Sequence, residues 1–95
     1  MESNSKNEKI IKILQDIILL LEKYEELSWS EQLIRILKHY QTSHDITIFI
    51  AEIKKTLTSG AGSLSDVVLY KDGRALITEN NKLQDLLNRL YEFSQ

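Results

Sequence analysis

The 95-residue chain contains no cysteine and no proline, only three glycines, one tryptophan and one methionine. The absence of cysteine removes disulfides, thiolate catalysis and cysteine-ligated zinc in one step. It agrees with a reducing compartment, and a cytoplasmic location is expected. Neither a proline-rich nor a glycine/serine-rich tract is present, so nothing marks a linker or a disordered tail. Charge of one sign is lacking too. Twelve basic and 14 acidic residues leave a net charge of −2, without the basic excess that would neutralise phosphates, so an electrostatic nucleic-acid binder is disfavoured. The opening MESNSKNEK has an acid and polar residues where a signal peptide needs a basic start and an apolar stretch. The most apolar region, Ile10 to Leu21, is interrupted by Lys12, Gln15 and Asp16, and falls short of the ~20 residues that span a bilayer.

What is present fits one small domain over 1–95, with 1–6 expected to be a flexible start. The 42 % hydrophobic content suffices for a single modest core. From about Lys6 to Glu26, Ile10, Ile13, Leu14, Ile17, Leu20, Leu21, Tyr24 and Leu27 recur at helical spacing. Ile11 and Ile18 widen the stripe, so this helix is expected to be central and covered on more than one side. Ser28-Trp-Ser-Glu31 has capping-box spacing, and a second helix to about Tyr40 follows with Trp29, Leu33, Ile36, Leu37 and Tyr40 on one face. Thr42-Ser-His-Asp45 offers another start, ahead of the stripe Ile46, Phe49, Ile50, Ile53, Leu57. The β-branched run 46–50 also alternates like a strand, but Ala51 to Thr58 continue the helical stripe, and length favours a helix.

Gly60 stands where the C′ glycine of that helix belongs, with Lys54 and Lys55 near the negative end of its dipole. Val67 to Tyr70 and Arg74 to Thr78 are short runs of strand formers around Lys71-Asp-Gly73, and Asp72-Gly73 between such runs signals a hairpin. Leu83, Leu86, Leu87 and Leu90 mark a last helix from about Asn80 to Phe93, with Thr78 or Asn80 as cap. The expected fold is therefore α+β and mostly helical: three N-terminal helices, a β-hairpin at about 66–78 and a C-terminal helix, the hairpin leaning on the helices.

Tests for chemistry mostly fail. Gly60 and Gly62 lead from a helix into a strand, the reverse of a phosphate loop, and no third glycine completes a dinucleotide fingerprint. His39 and His44 lack the i, i+4 spacing of helical metal ligands, although Asp45 could join His44; surface or capping roles are the plainer reading. Ser59, Ser63 and Ser65 have no nucleophile elbow around them, and turn chemistry accounts for them. No catalytic residue, metal or cofactor is expected. One irregularity points elsewhere: Glu22, Glu25 and Glu26 crowd the C-terminal turn of the first helix, where the dipole disfavours anions and where Glu22 and Glu26 repel at i, i+4. An uncompensated cluster of this kind suits a cationic partner, the ordinary alternative being a solvated face. With Glu31, Asp66 and Asp72 these residues make the candidate partner-binding set. Gly60, Gly62, Ser63, Asp66 and Gly73 are read as structural loop residues.

The stretch Ser59-Gly-Ala-Gly-Ser-Leu-Ser-Asp66, followed by Val67 to Tyr70, then by Glu79-Asn80 and the helix through Tyr91, resembles a family of small bacterial proteins. That family carries Gly-Gly-Met-Gly-Ser-Leu/Phe-Asn-Asp ahead of a hydrophobic strand. The resemblance covers about residues 27–93. Ser59, Ala61 and Ser65 depart from the glycine, methionine and asparagine of the pattern, while Gly60, Gly62, Ser63 and Asp66 keep it. The family is similar in size and layout to immunity proteins of bacterial toxin systems, including contact-dependent growth inhibition. The resemblance implies a monomeric, non-enzymatic inhibitor that binds a cognate toxin domain one to one, a nuclease with a basic cleft being the expected target. It supplies no catalytic residues. The alternative reading is a small regulatory or scaffold module that dimerises through its leucine-rich helices.

Overall fold

The structure, a computed structural model, describes residues 2–58 and 64–94, with the side chains of 6–58, 64 and 66–94. The elements follow the expected order: α1 (Glu2–Lys23), α2 (Leu27–Ser43), α3 (Ile46–Thr58), a single 3-10 turn (Leu64–Asp66), the hairpin strands β1 (Tyr70–Lys71) and β2 (Arg74–Ala75), and α4 (Ile77–Phe93). Segment 46–50 is helix. Glu2 to Lys6, expected to be flexible, carry helical backbone continuous with α1. The readings placed on Ser59, Gly60, Gly62 and Ser63 lie outside the described residues.

The helices close a ring: α1 packs against α2 and α4, and α3 packs against α2 and α4. Lys9 lies over the ring of Phe93, while the far end of α1 meets the hairpin that precedes α4, so α1 and α4 run antiparallel. The expected stripes form the core. Ile10, Leu14, Ile17 and Leu21 of α1, Leu33 of α2, Ile53 of α3, and Leu83 and Leu90 of α4 are at most 1 % exposed. Ile18 is buried as well, so α1 is covered on several sides, with Lys12, Gln15, Leu19 and Glu22 along its exposed face. Trp29 is half-buried against the core, and Tyr40 stacks on Phe49 with ring centroids 4.4 Å apart, locking α2 to α3.

Two corners differ from the sequence expectation for one reason. α1 ends at Lys23, before Glu26, because Glu25 takes the left-handed conformation at φ 64°. Its N–H bonds the Glu22 carbonyl at 3.2 Å and the Glu26 N–H bonds the Leu21 carbonyl at 2.8 Å, the paired bonds of a Schellman stop with glutamate in the glycine position. The next helix then starts at Leu27, with Glu26 as N-cap, so Ser28 is already inside it and the expected Ser28–Glu31 capping box does not form. Leu27, expected on the α1 stripe, is instead 54 % exposed at the start of α2. The second corner repeats the device: His44, at φ 57°, sends its N–H to the Tyr40 carbonyl at 2.8 Å. Asp45 then caps α3, its Oδ1 accepting from the N–H groups of Thr47 and Ile48 at 3.1 and 3.2 Å.

The hairpin is shorter than the expected 66–78. Tyr70 pairs with Ala75 and Lys71 with Arg74 around a two-residue turn in which Asp72 and Gly73 both have positive φ, as a type I′ turn requires. Leu69 and Leu76 face each other next along the hairpin, but only one backbone bond joins them, the Leu76 N–H donating to the Leu69 carbonyl at 3.0 Å; a side chain takes the other two groups, so the ladder stops at Tyr70. Leu69 donates its N–H to Asn80 Oδ1 at 2.7 Å, and Asn80 Nδ2 donates to the carbonyls of Leu69 at 3.0 Å and Leu76 at 2.8 Å. Asn80 thus bridges Leu69 and Leu76 where the second ladder bond would lie and does not cap α4, which starts at Ile77 with Leu76 as N-cap; neither Thr78 nor Asn80 has the expected capping role. Among the described residues no buried side-chain polar atom is left without a partner.

Candidate functional site

The antiparallel layout brings the α1–α2 corner, the hairpin and the start of α4 to one end of the bundle. There a cleft of about 470 Å³ is lined by Lys23, Tyr24 and Glu25 on one side and Tyr70, Lys71 and Asp72 on the other. Two of the expected partner-binding residues, Glu25 and Asp72, are thereby juxtaposed although nearly half the chain separates them. Both are turn residues in the left-handed conformation, which holds each at the apex of its corner. The cleft is not uniformly acidic: Lys23 and Lys71 join them, and Lys23 Nζ sits 5.6 Å from the Tyr24 ring centroid.

The other expected residues are placed differently. Glu22 is exposed on the last turn of α1, and Glu31 is exposed on the second turn of α2. Glu26 is half-buried at the N-cap of α2. Asp66 ends the 3-10 turn, exposed to solvent. The supposed irregularity has a structural compensation. Glu25 and Glu26 lie beyond α1 and directly before α2, where the positive end of that helix favours anions. Glu22 and Glu26 are no longer an i, i+4 pair on one helix. The next helix thus compensates Glu25 and Glu26, whereas Glu22 stays at the negative end of α1.

What sequence reasoning missed is apolar. Val68, Tyr70 and Ile77 are 41 %, 56 % and 78 % exposed, and Leu27 at the neighbouring corner is 54 % exposed. Alternation explains the first two: Leu69 between them is fully buried, so Val68 and Tyr70 project from the opposite, outer face of the hairpin. The signal was visible as Val67-Val-Leu-Tyr70, a run that fixed strand character without saying which residues face water. Four of the seven large exposed hydrophobics among the described residues thus lie on the elements that meet at this end of the molecule, and Tyr70 lines the cleft beside Glu25, Asp72, Lys23 and Lys71.

The histidines do not come together. His44 caps α2, whereas His39 Nδ1 pairs with Glu52 Oε1 at 2.9 Å and bridges α2 to α3. Among the described residues no group of three His, Asp or Glu side chains could hold a metal ion, and no helix is long and apolar enough to cross a membrane. Asp45, which could have joined His44 at a metal, instead caps α3. Comparison with protein-family models, curated proteins and solved structures finds no match to this chain.

Proposed function

We propose that the protein is an immunity protein that binds a cognate bacterial toxin domain, a basic nuclease, and neutralises it by stoichiometric occlusion of its active or substrate-binding surface. The observation that carries this reading is the cleft at the hairpin end of the bundle, where exposed Tyr70 lies with the acidic turn residues Glu25 and Asp72, and Leu27, Val68 and Ile77 are also exposed on the elements that meet there. An apolar centre within a polar, charged rim is the anatomy of a protein–protein contact, and tyrosine is among the residues that anchor one. Carboxylates at the rim would steer encounter with a basic cleft. The loop resemblance around residues 59–66 supports the same class of partner. The inhibitor has no catalytic part in this reading, and acts in the cytoplasm as a monomer in a one-to-one complex.

Co-expression with the toxin domain encoded beside it should restore growth, and the complex should survive gel filtration. Loss of both results would overturn the reading. A homodimeric regulatory or scaffold module is the second reading, since a second copy could cover the same apolar end. Light scattering on the isolated chain separates the two: a stable dimer without affinity for a toxin favours the second.

A further inference from the structure

A second surface, between α2 and α3, has a different chemistry. A groove of about 580 Å³ is lined by Gln32, Arg35, Ile36 and His39 from α2 and by Glu52, Lys55 and Thr56 from α3. The spacing puts the α2 residues on one helical face at i, i+3, i+4 and i+7, and the α3 residues on another at i, i+3 and i+4. Ile36 and Thr56 are buried, so they form the floor, while Arg35 and Lys55 are exposed on opposite walls. The single carboxylate of the groove is engaged: Glu52 is held by His39 Nδ1 at 2.9 Å. Among the described residues, neither Arg35 nor Lys55 forms a salt bridge with a carboxylate, whereas Lys12 pairs with Asp16 and Arg89 with Asp85.

From this arrangement we infer that the α2–α3 groove is a binding site for the phosphate group of a small molecule. Two cations from facing helices match the charge of a phosphate, about −1.5 to −2 at neutral pH, and approach it from different sides. A tetrahedral oxyanion accepts from both walls at once. The Arg35 fork can bond it bidentately, Lys55 acts as a point charge, and the Gln32 amide offers a further donor. The Glu52 carboxylate, the one group in the groove that would repel the ligand, is tied to His39. Ile36 on the floor leaves room for an apolar portion of a phosphate monoester, and the groove volume is that of a small-ligand site. This surface shares no residue with the cleft at the hairpin end, so the inference does not depend on the toxin-binding reading.

The test is a heteronuclear NMR titration of the full chain with inorganic phosphate, with glycerol 3-phosphate and with acetate at matched ionic strength. Saturable shifts should appear at the Gln32 side-chain amide, the Arg35 Nε–H and the His39 ring, with both phosphates but not with acetate. Arg35→Ala and Lys55→Ala should each weaken binding about tenfold or more, the loss of one charge-assisted contact. Lys12→Ala, remote from the groove on α1, should leave it unchanged. Arg35 and Lys55 are exposed, and an unaltered amide spectrum outside the groove verifies that each variant is folded. Non-saturable shifts, equal shifts with acetate, or equal losses in the Lys12 variant would overturn the inference. Tighter binding of glycerol 3-phosphate than of inorganic phosphate identifies the monoester as the ligand class; equal binding shows that the phosphate group alone is recognised.

Discussion

At the scale of single residues, the conspicuous positions are the non-glycine residues that adopt the left-handed conformation. Glu25 and His44 close α1 and α2 with the backbone bonds that glycine usually makes possible, and each has a Cβ where glycine has none. The left-handed region costs an L-residue ~1–2 kcal/mol, partly offset in a glycine variant by the greater freedom of its unfolded chain. Glu25→Gly and His44→Gly should therefore each stabilise the fold by roughly 0.5–1 kcal/mol. The corners share no partner, so the double variant should show the sum. Thermal unfolding of the three variants checks this, and a lowered midpoint would show that the side chains contribute more than the backbone strain costs. These corners were hidden in the sequence because their residue types argue against them. Glutamate gives no signal for a Schellman stop, so α1 was read through to Glu26 and the next helix was given a capping box at Ser28. Asp45 was legible because aspartate is a common cap, and its bonds to Thr47 and Ile48 are local.

At the scale of elements, the hairpin illustrates what spacing can and cannot reveal. Asp72-Gly73 announces its own turn, and Gly73 at φ 78° has no neighbour within 4 Å of where a Cβ would sit, so only backbone conformation calls for glycine there. The hairpin's attachment gave no such signal. A two-residue ladder is marginal alone, and Asn80 holds it to α4 by three side-chain hydrogen bonds that span intervals of up to 11 residues. In the sequence Asn80 looks like a helix cap, since its partners are visible only after the chain has folded back. Asn80→Ala should cost roughly 2–3 kcal/mol, because the Leu69 N–H loses its partner as well as the bonds being lost. Asn80→Asp keeps the acceptor for Leu69 and loses both Nδ2 donors, and should fall between wild type and alanine. Denaturant unfolding gives the stabilities, and hydrogen exchange at the Leu69 amide should accelerate in the alanine variant. Unchanged exchange there would mean that the hairpin is held by the burial of Leu69 and by the Leu76 N–H bond to the Leu69 carbonyl.

At the scale of the whole molecule, the helical stripes were the most legible feature. Leu83, Leu86, Leu87 and Leu90, like Phe49, Ile53 and Leu57, are buried as their periodicity requires. The surface was much less legible. Glu25 and Asp72 meet only because α1 and α4 run antiparallel, and Leu27 emerged at a corner that periodicity assigned to a buried stripe. The candidate site therefore rests on tertiary arrangement, and its test belongs to the complete protein. If the proposed toxin domain is the partner, reversing Glu22, Glu25 and Glu26 to lysine should lower affinity for it and flatten its salt dependence, since exposed charges act mainly through screened steering. Titration calorimetry at several ionic strengths measures both effects, with circular dichroism verifying the fold. Unchanged affinity would move the contact to the hairpin face around Asp66, Tyr70 and Asp72.

The ring of helices also orders events in time. α1 is the most enclosed helix, yet one of its two covering partners, α4, is synthesised after the other three. While a nascent chain carries only α1 to α3, the face of α1 that meets α4 has nothing to cover it. The short corners at Glu25 and His44 let the first three helices associate early through local contacts. Completion must nevertheless wait until Leu83 to Leu90 have left the ribosome, and before then that apolar face is open to misassociation.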